Sequence, residues 1–296
     1  MLETHVRILT WNVDMKGMSR SRLSRITGVL EASNPDVVAL QEVPVGWDEN
    51  FESVLPELGL RSVMYQRKRG DYLKYGNLVA AREQLHDTGR PECIYPELLQ
   101  GADVQGIQLL NVHVPNGEGF GWEKIEYLIQ LRAEISSSST PLVVVGDFNA
   151  PALETPQETF CFGWEVRHGG HWKYMCTAAD ELGWKEVTQL ERRHWRAKKD
   201  GRTGRDWETV EGWMFNRADQ HHLTDAFRAL YPLPDGPERA YSFRFNRKDS
   251  PRLRRFDHCF LSPELEPTRA DYVTDALDES ASDHAPLIVD FDWQPS

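Results

Sequence analysis

PLVVVGDFNA, residues Pro141 to Ala150, is an apolar run that stops abruptly at a glycine, a carboxylate and a carboxamide. Leu142, Val143, Val144 and Val145 have the length and β-branching of a core strand, and Gly146 lets the backbone turn without a Cβ clash. If the chain stays extended through Phe148, Asp147 and Asn149 share one face while Phe148 packs on the other. A carboxylate beside an amide can bind, orient and deprotonate water. Alone, the stretch would equally suit a strand ending in an ordinary Asx turn, so its meaning depends on the rest of the chain.

Upstream, the same design recurs. Val6 to Val13 reads as a strand closing on Trp11, Asn12, Val13 and Asp14. A helix capped by Ser19 or Ser21 follows, with Leu23, Ile26, Val29 and Leu30 on one face. Asn34-Pro35 breaks it, and Asp36 to Leu40 makes a short buried strand with Gln41 and Glu42 at its tip. Trp47 to Leu58 is expected to be helical. Arg61 to Gln66 and Asn77 to Ala81 are expected to pair around the basic, aromatic loop RKRGDYLKYG. Val104 to Val114 runs as a strand into His113, Pro115, Asn116 and Gly117, and a helix from about Gly121 to Ser136 leads back to the central stretch.

Downstream, from about 151 to 220, the pattern loosens. Six of the ten tryptophans fall here, with a basic run from Arg192 to Arg205. The segment reads as an insertion packed against the core of a single domain spanning 1–296, its aromatics filling core more readily than stacking on bases. Cys161, His168, His171 and Cys176 offer four zinc-ligand types, but the Cys-x6-His-x2-His-x4-Cys spacing is not a usual one and counts against a structural Zn2+. His222 to Leu230 reads as a helix, and Tyr241 to Phe245 and Phe256 to Leu261 as strands. Six basic residues between Arg244 and Phe256, among them Arg244, Arg254 and Arg255, make the best phosphate-binding patch. Asp257 follows directly, and Ser282, Asp283 and His284 introduce a last strand, Ala285 to Phe291.

Apolar residues at 40% and charged residues at 27% are those of a globular protein. No run approaches a bilayer-spanning length, and the N-terminus enters a strand pattern with no basic, apolar leader. With four scattered cysteines, an intracellular, cytoplasmic setting is expected. The net charge of −12 argues against phosphate binding over the whole surface, though not against a local patch. Short strands alternating irregularly with helices predict an α/β fold of two packed sheets.

Collected together, Asn12, Glu42, His113, Asp147, Asn149, Asp257, Asp283 and His284 all sit at strand ends. Converging carboxylates call for a hard divalent cation, Mg2+ or Mn2+ rather than zinc. TWNV (10–13), LQEV (40–43), VHVPNG (112–117), GDFNA (146–150), LTDAFRALYP (223–232), RFDHCFLS (255–262) and SDHAPL (282–287) together resemble the endonuclease/exonuclease/phosphatase superfamily, and most of all its exonuclease III branch. The resemblance implies a four-layered α/β sandwich of two packed mixed sheets with helices outside and the site at the mouth between them. By motif position, it implies that Glu42 is the principal metal ligand, with Asn12 and Asp283 assisting. Asp147 and Asn149 would orient water or protonate the leaving oxygen, and His284, oriented by Asp257, would face the phosphate. Either Asp147 or His284 can be the general base. His113 stands where abasic-site nucleases place tyrosine and is more similar to the histidine of deoxyribonuclease I, sphingomyelinases and inositol phosphatases.

The expected activity is metal-dependent hydrolysis of nucleic-acid phosphodiester bonds, with DNA favoured over RNA as partner and oligomeric state open. A small or lipid phosphoester is the alternative substrate, and a catalytically silent scaffold the alternative of another class.

Overall fold

A computed structural model of the chain describes residues 4–66, 74–89, 93–138, 141–155, 159–194, 201–216, 221–233, 240–245 and 252–293. In chain order the first strands are β1 (Thr4–Asn12), β2 (Val37–Pro44), β3 (Ser62–Tyr65), β4 (Tyr75–Ala81), β5 (Leu85–Asp87), β6 (Leu99–Val104), β7 (Ile107–His113) and β8 (Leu142–Asp147). β9 (Leu153–Glu154), β10 (Thr159–Phe160), β11 (Trp164–His168), β12 (His171–Tyr174) and β13 (Arg192–His194) follow. β14 (Thr224–Asp225), β15 (Phe243–Phe245), β16 (Arg252–Arg254), β17 (Asp257–Leu261), β18 (Glu266–Tyr272) and β19 (Leu287–Trp293) complete the set. Two six-stranded sheets result, ordered β18-β19-β1-β2-β4-β3 and β14-β17-β8-β7-β6-β5.

Each sheet has one parallel pair, β1 with β2 and β7 with β8, and is otherwise antiparallel. A parallel pair needs a crossover. The helices Arg20–Ser33 and Glu123–Ser137 provide the two crossovers. Ser19 caps the first by accepting from the Arg22 amide.

Alternation along β8 explains why its sequence is apolar without interruption. Val143 and Val145 enter the core between the sheets with Val6, Ile8, Val79 and Val289. Leu142 and Val144 face the other way, onto Ile125, Leu128 and Leu131 of the crossover helix. On the opposite sheet Leu9, Val38 and Leu78 meet Leu23, Ile26 and Leu30. Helix, sheet, sheet and helix thus stack as a four-layered α/β sandwich, as expected for strands buried on both faces. Gly146 is required for a tighter reason than a turn: its φ is +141°, and a Cβ there would lie 1.9 Å from the Val112 carbonyl oxygen.

Several expected boundaries change. Val104 to Val114 is not one strand: Gln105 and Gly106, both at positive φ, turn the chain between β6 and β7. The expected helix over 222–230 is confined to Ala226–Leu230, because His222 is left-handed at φ 57° and Thr224–Asp225 pairs with β17. Trp47 to Leu58 splits into the helix Asp48–Val54 and a 3-10 turn at Pro56–Leu58.

The Trp-rich segment contributes in two ways. β11, β12 and β13 form a small sheet over a satellite cluster of Phe160, Val166, Met175, Ala178 and Val187. Trp207 and Trp213 instead join the layer around the helix Glu123–Ser137. Of the four possible zinc ligands, His168 and His171 are register partners in the β11–β12 hairpin and Cys161 is a buried free thiol. The Cys176 side chain lies outside the described residues, as do much of the 67–76 loop and part of the basic runs at 192–205 and 244–255. No described helix is long and apolar enough to cross a membrane.

Candidate active site

Strand register assembles the site. Asp147 at the end of β8 is paired with His113 at the end of β7 and with Asp257 at the start of β17. Residues in register on neighbouring strands point to the same face, so one row carries His113, Asp147 and Asp257. Asn12, ending β1 on the other sheet, reaches across to donate from Nδ2 to Asp147 Oδ2 at 2.9 Å and to Glu42 Oε1 at 3.3 Å. Of these five residues all but Glu42 are buried. Beneath them Gln41 donates to Asn111 Oδ1 at 2.8 Å, and Asn111 donates back to the Leu40 and Leu78 carbonyls, a polar bolt between the sheets.

Glu42 arrives by a device hidden in the sequence. β2 continues past it to Pro44, but the register with β4 shifts between Leu40 and Val43, and Glu42 is left-handed at φ 56°. That bulge aims its carboxylate into the mouth. Oε1 stands 3.7 Å from His113 Nε2, and Oε2 accepts from the Met15 amide at 3.1 Å.

Asn149 meets Asp147 by an Asx turn, not by an extended chain. Its φ is 48°; its amide N–H donates to Asp147 Oδ1 at 2.8 Å. Its side chain donates to the Val114 carbonyl at 3.0 Å and to Asp147 Oδ2 at 3.3 Å. Phe148 packs the other way, against Phe215, His258 and Phe260.

His284 and Asp257 form a tight pair, Nδ1 to Oδ2 at 2.7 Å, and His284 Nε2 lies 3.9 Å from Asp147 Oδ2. Burial by itself would lower the His284 pKa, but the charges of Asp257 and Asp147 and the Asp257 hydrogen bond prevail and raise it to about 10. The ring is a cation at neutral pH. Burial pushes Asp147 upward, opposed by His284 and reinforced by Asp257. Burial pushes His113 downward, with Asp147 opposing, so His113 is neutral. Among the described residues, buried Asp257 Oδ1 and His113 Nδ1 at this site have no hydrogen-bond partner. Asp147, Asp257 and His284 place three donor atoms within 4.8 Å of one another, a compact buried cluster in which protonated His284 serves the two carboxylates as counter-charge.

Asp283 stands outside this row, exposed at the rim of a cavity of about 340 Å³ lined also by Asp14, Arg22, Arg25 and Arg244. Its carboxyl is raised by desolvation against the surrounding protein, opposed by His284 and reinforced by Asp14 and Glu42. Asp14 at the same cavity is ion-paired with Arg22 at 3.3 Å, and Glu42 acts on Asp283 as a neighbouring charge without lining the cavity.

One expected role is corrected. Arg255 is no surface phosphate ligand: its guanidinium is buried and bridges Glu154 and Asp225 at 2.7 and 2.8 Å. Asn12 Oδ1 accepts from the Asp14 amide at 2.9 Å, and its NH2 donates to Glu42 and Asp147. Arg244 lines the cavity and pairs with the exposed Asp278 at 2.8 Å. Arg254 is half-buried on β16 and donates to the Leu253 carbonyl.

Neighbours without a local sequence signal complete the site. Phe243 lies 4.7 Å from His284 between ring centroids, Tyr75 lies 5.5 Å from His113, and Lys124 donates to the Asn149 carbonyl at 2.8 Å.

Comparisons with known proteins agree with this fold. The family model described as "Endonuclease/Exonuclease/phosphatase family" matches residues 9–284. The chain is 24% identical to the exodeoxyribonuclease III of Haemophilus influenzae, over 92% of this chain and 96% of that one. Among solved structures, the 3′ phosphatase NExo from Neisseria bound to a product DNA hairpin is similar with a TM-score of 0.62 at 24% identity, covering 97% of this chain and 100% of that one. An AP endonuclease from Archaeoglobus fulgidus also has a TM-score of 0.62, at 19% identity over 96% and 98% of the two chains. Matched from residue 9 in the first strand to His284, the chain belongs to the endonuclease/exonuclease/phosphatase family.

Proposed function

We propose that the protein is a metal-dependent phosphodiesterase of the exonuclease III type, hydrolysing phosphodiester bonds of DNA. The observation that carries this reading is the pairing of a cationic His284 with a desolvated Asp147, 3.9 Å apart, at a mouth that also presents Glu42. A buried imidazolium is a donor preorganised for a phosphoryl oxygen, and it serves the transition state as charge accumulates there. Asp257 and Asp147 favour the protonated form of His284, which supports assigning it to the phosphoryl oxygen and the general-base role to Asp147. Asp147 is then the group that takes the proton of the attacking water, which Asn149 helps to orient. Asp257 fixes the His284 tautomer and sustains its charge. Neutral His113 offers Nε2 toward the same carboxylates.

Glu42, with Asp283 and Asp14 near it, would hold the divalent cation, Mg2+ or Mn2+. When bound, such an ion supplies Lewis acidity toward a phosphoryl oxygen. Arg244 and Arg254 are assigned to the backbone phosphates flanking the scissile one. The named relatives, an exodeoxyribonuclease, an AP endonuclease and a DNA-bound 3′ phosphatase, support DNA as substrate. The free thiols Cys93, Cys161 and Cys259 fit an intracellular, reducing setting. Withdrawal of Arg255 from the surface favours the second reading, a small or lipid phosphoester.

End-labelled single- and double-stranded DNA, RNA, an abasic duplex and a bis-aryl phosphodiester, each with Mg2+, Mn2+ or EDTA, separate the readings. Metal-dependent cutting of DNA is expected. Turnover of the aryl diester or a lipid phosphoester with no DNA cleavage would contradict the DNA reading and leave the phosphodiesterase.

A further inference from the structure

Lys124 is wholly buried in the first turn of the helix Glu123–Ser137, an unusual place for an ammonium group. Its Nζ has two partners. One is the main-chain carbonyl of Asn149, 2.8 Å away. The other is the carboxylate of Glu211, equally buried, at the end of the helix Gly204–Glu211 in the Trp-rich insertion. Glu211 also accepts from Trp207 Nε1, one turn earlier, and from the Phe162 amide at 3.3 Å.

Trp207 reaches the second catalytic loop. Its six-membered ring lies against Gly117, where an added Cβ would be 2.7 Å from Trp207 Cζ2. Gly117 opens the short turn that Asn116 caps, four residues after His113. One insertion helix therefore braces the turns that follow Asp147 and His113. A Thr203–Asp206 capping box defines where that helix begins.

Asn149 needs such a brace. It sits in the left-handed region at φ 48°, where a non-glycine residue persists only if its surroundings hold it. Its own amide and side-chain hydrogen bonds fix Asp147. Pulling on the Asn149 carbonyl thus orients the carboxylate two residues earlier.

We infer that Lys124 and Glu211 are positioning residues for catalysis, through which the Trp-rich insertion holds the Asn149 turn and with it Asp147. The insertion is then part of the catalytic centre's support, in addition to any part in choosing substrate. This inference rests on the assignment of Asp147 and Asn149 to catalysis.

The test compares Lys124→Met, Glu211→Gln and the double variant Lys124→Met/Glu211→Met with wild type and Asp147→Asn, using metal-dependent cleavage of labelled duplex DNA. The single Lys124→Met strands a buried carboxylate and risks misfolding. The double variant replaces a buried ion pair with apolar groups, an exchange that folds often tolerate, yet it still deprives the Asn149 carbonyl of its donor. The expected result for the folded double variant, judged by its thermal transition, is a kcat about ten- to a hundredfold lower with KM within about twofold, the scale of a small misplacement at a reacting centre. Glu211→Gln removes the Lys124 counter-charge and leaves one acceptor oxygen where Lys124, Trp207 and Phe162 need two, so kcat between those of wild type and the double variant is expected. A folded double variant with wild-type kcat, or a loss seen only in KM, would overturn the inference. Wild-type activity in Asp147→Asn would instead overturn the catalytic assignment on which it rests.

Discussion

Two buried clusters of charge flank the same strand, β17, and they are built in opposite ways. On one side Glu154, Arg228, Arg255 and Asp225 form a lattice in which each carboxylate meets an arginine at 2.7 to 2.8 Å, and His258 bridges Asp225 to the Ala150 carbonyl. On the other, Asp147 and Asp257 share His284 and leave Asp257 Oδ1 without a partner. Burial pushes Glu154, Asp225 and Asp147 in the same direction, upward. In the lattice the arginine charges reverse it, holding Glu154 down at about 2 and Asp225 well below the carboxylate range. In the mouth they do not, and Asp147 stays raised. What distinguishes a structural carboxylate from a reactive one here is the number of cations facing it, not its depth.

Removing the lattice's hub should have the largest structural effect. Arg255→Met leaves Glu154 and Asp225 without their main counter-charge, and a loss of about 3–5 kcal/mol in urea unfolding is expected. KM for DNA should be unchanged in the fraction that folds; a raised KM with intact stability would return Arg255 to the substrate surface.

The two clusters should also fail at opposite ends of the pH scale. The His284 pKa is raised from 6.5 to about 10, so its contribution to stability is full below about 6.5 and is lost as pH rises toward 10. Glu154 is lowered from 4.5 to about 2, so its contribution is full above about 4.5 and is lost as pH falls toward 2. Denaturation followed across pH should show Asp257→Asn flattening only the alkaline limb, and Arg255→Met only the acid limb. A variant that altered both limbs equally would show that the clusters are not separate.

The smallest effect is expected at the rim. Arg244 is about a quarter exposed and already paired with Asp278, so Arg244→Ala should reduce the salt dependence of DNA binding by about one counterion. An unchanged salt slope would remove Arg244 from the phosphate path.

Much of this site was legible in the chain because apolar strands mark their own ends. Asp147 and His113 follow runs of buried residues, and Asp257 precedes one, so register alone could bring them together. Glu42 was legible as a residue and not as a geometry, since nothing local announces the bulge that turns its carboxylate inward. Arg255 was misread because a run of basic residues looks the same from sequence whether each one faces solvent or a carboxylate 101 positions away. Lys124 gave no signal at all: a lysine in the first turn of an amphipathic helix has every sequence reason to be exposed, and its partners come from a segment with no regular pattern.

The most direct measurement is single-turnover cleavage of labelled DNA by wild type and Asp147→Asn, with Mg2+ and with EDTA, alongside the thermal transition of both proteins. A variant slower by about 10²- to 10⁴-fold, no less stable than wild type, and a wild type silenced by EDTA are expected of a carboxylate kept under-paired for chemistry. Cleavage that survives either the substitution or the chelator would contradict the assignment of Asp147 as the proton acceptor of a metal-dependent phosphodiesterase.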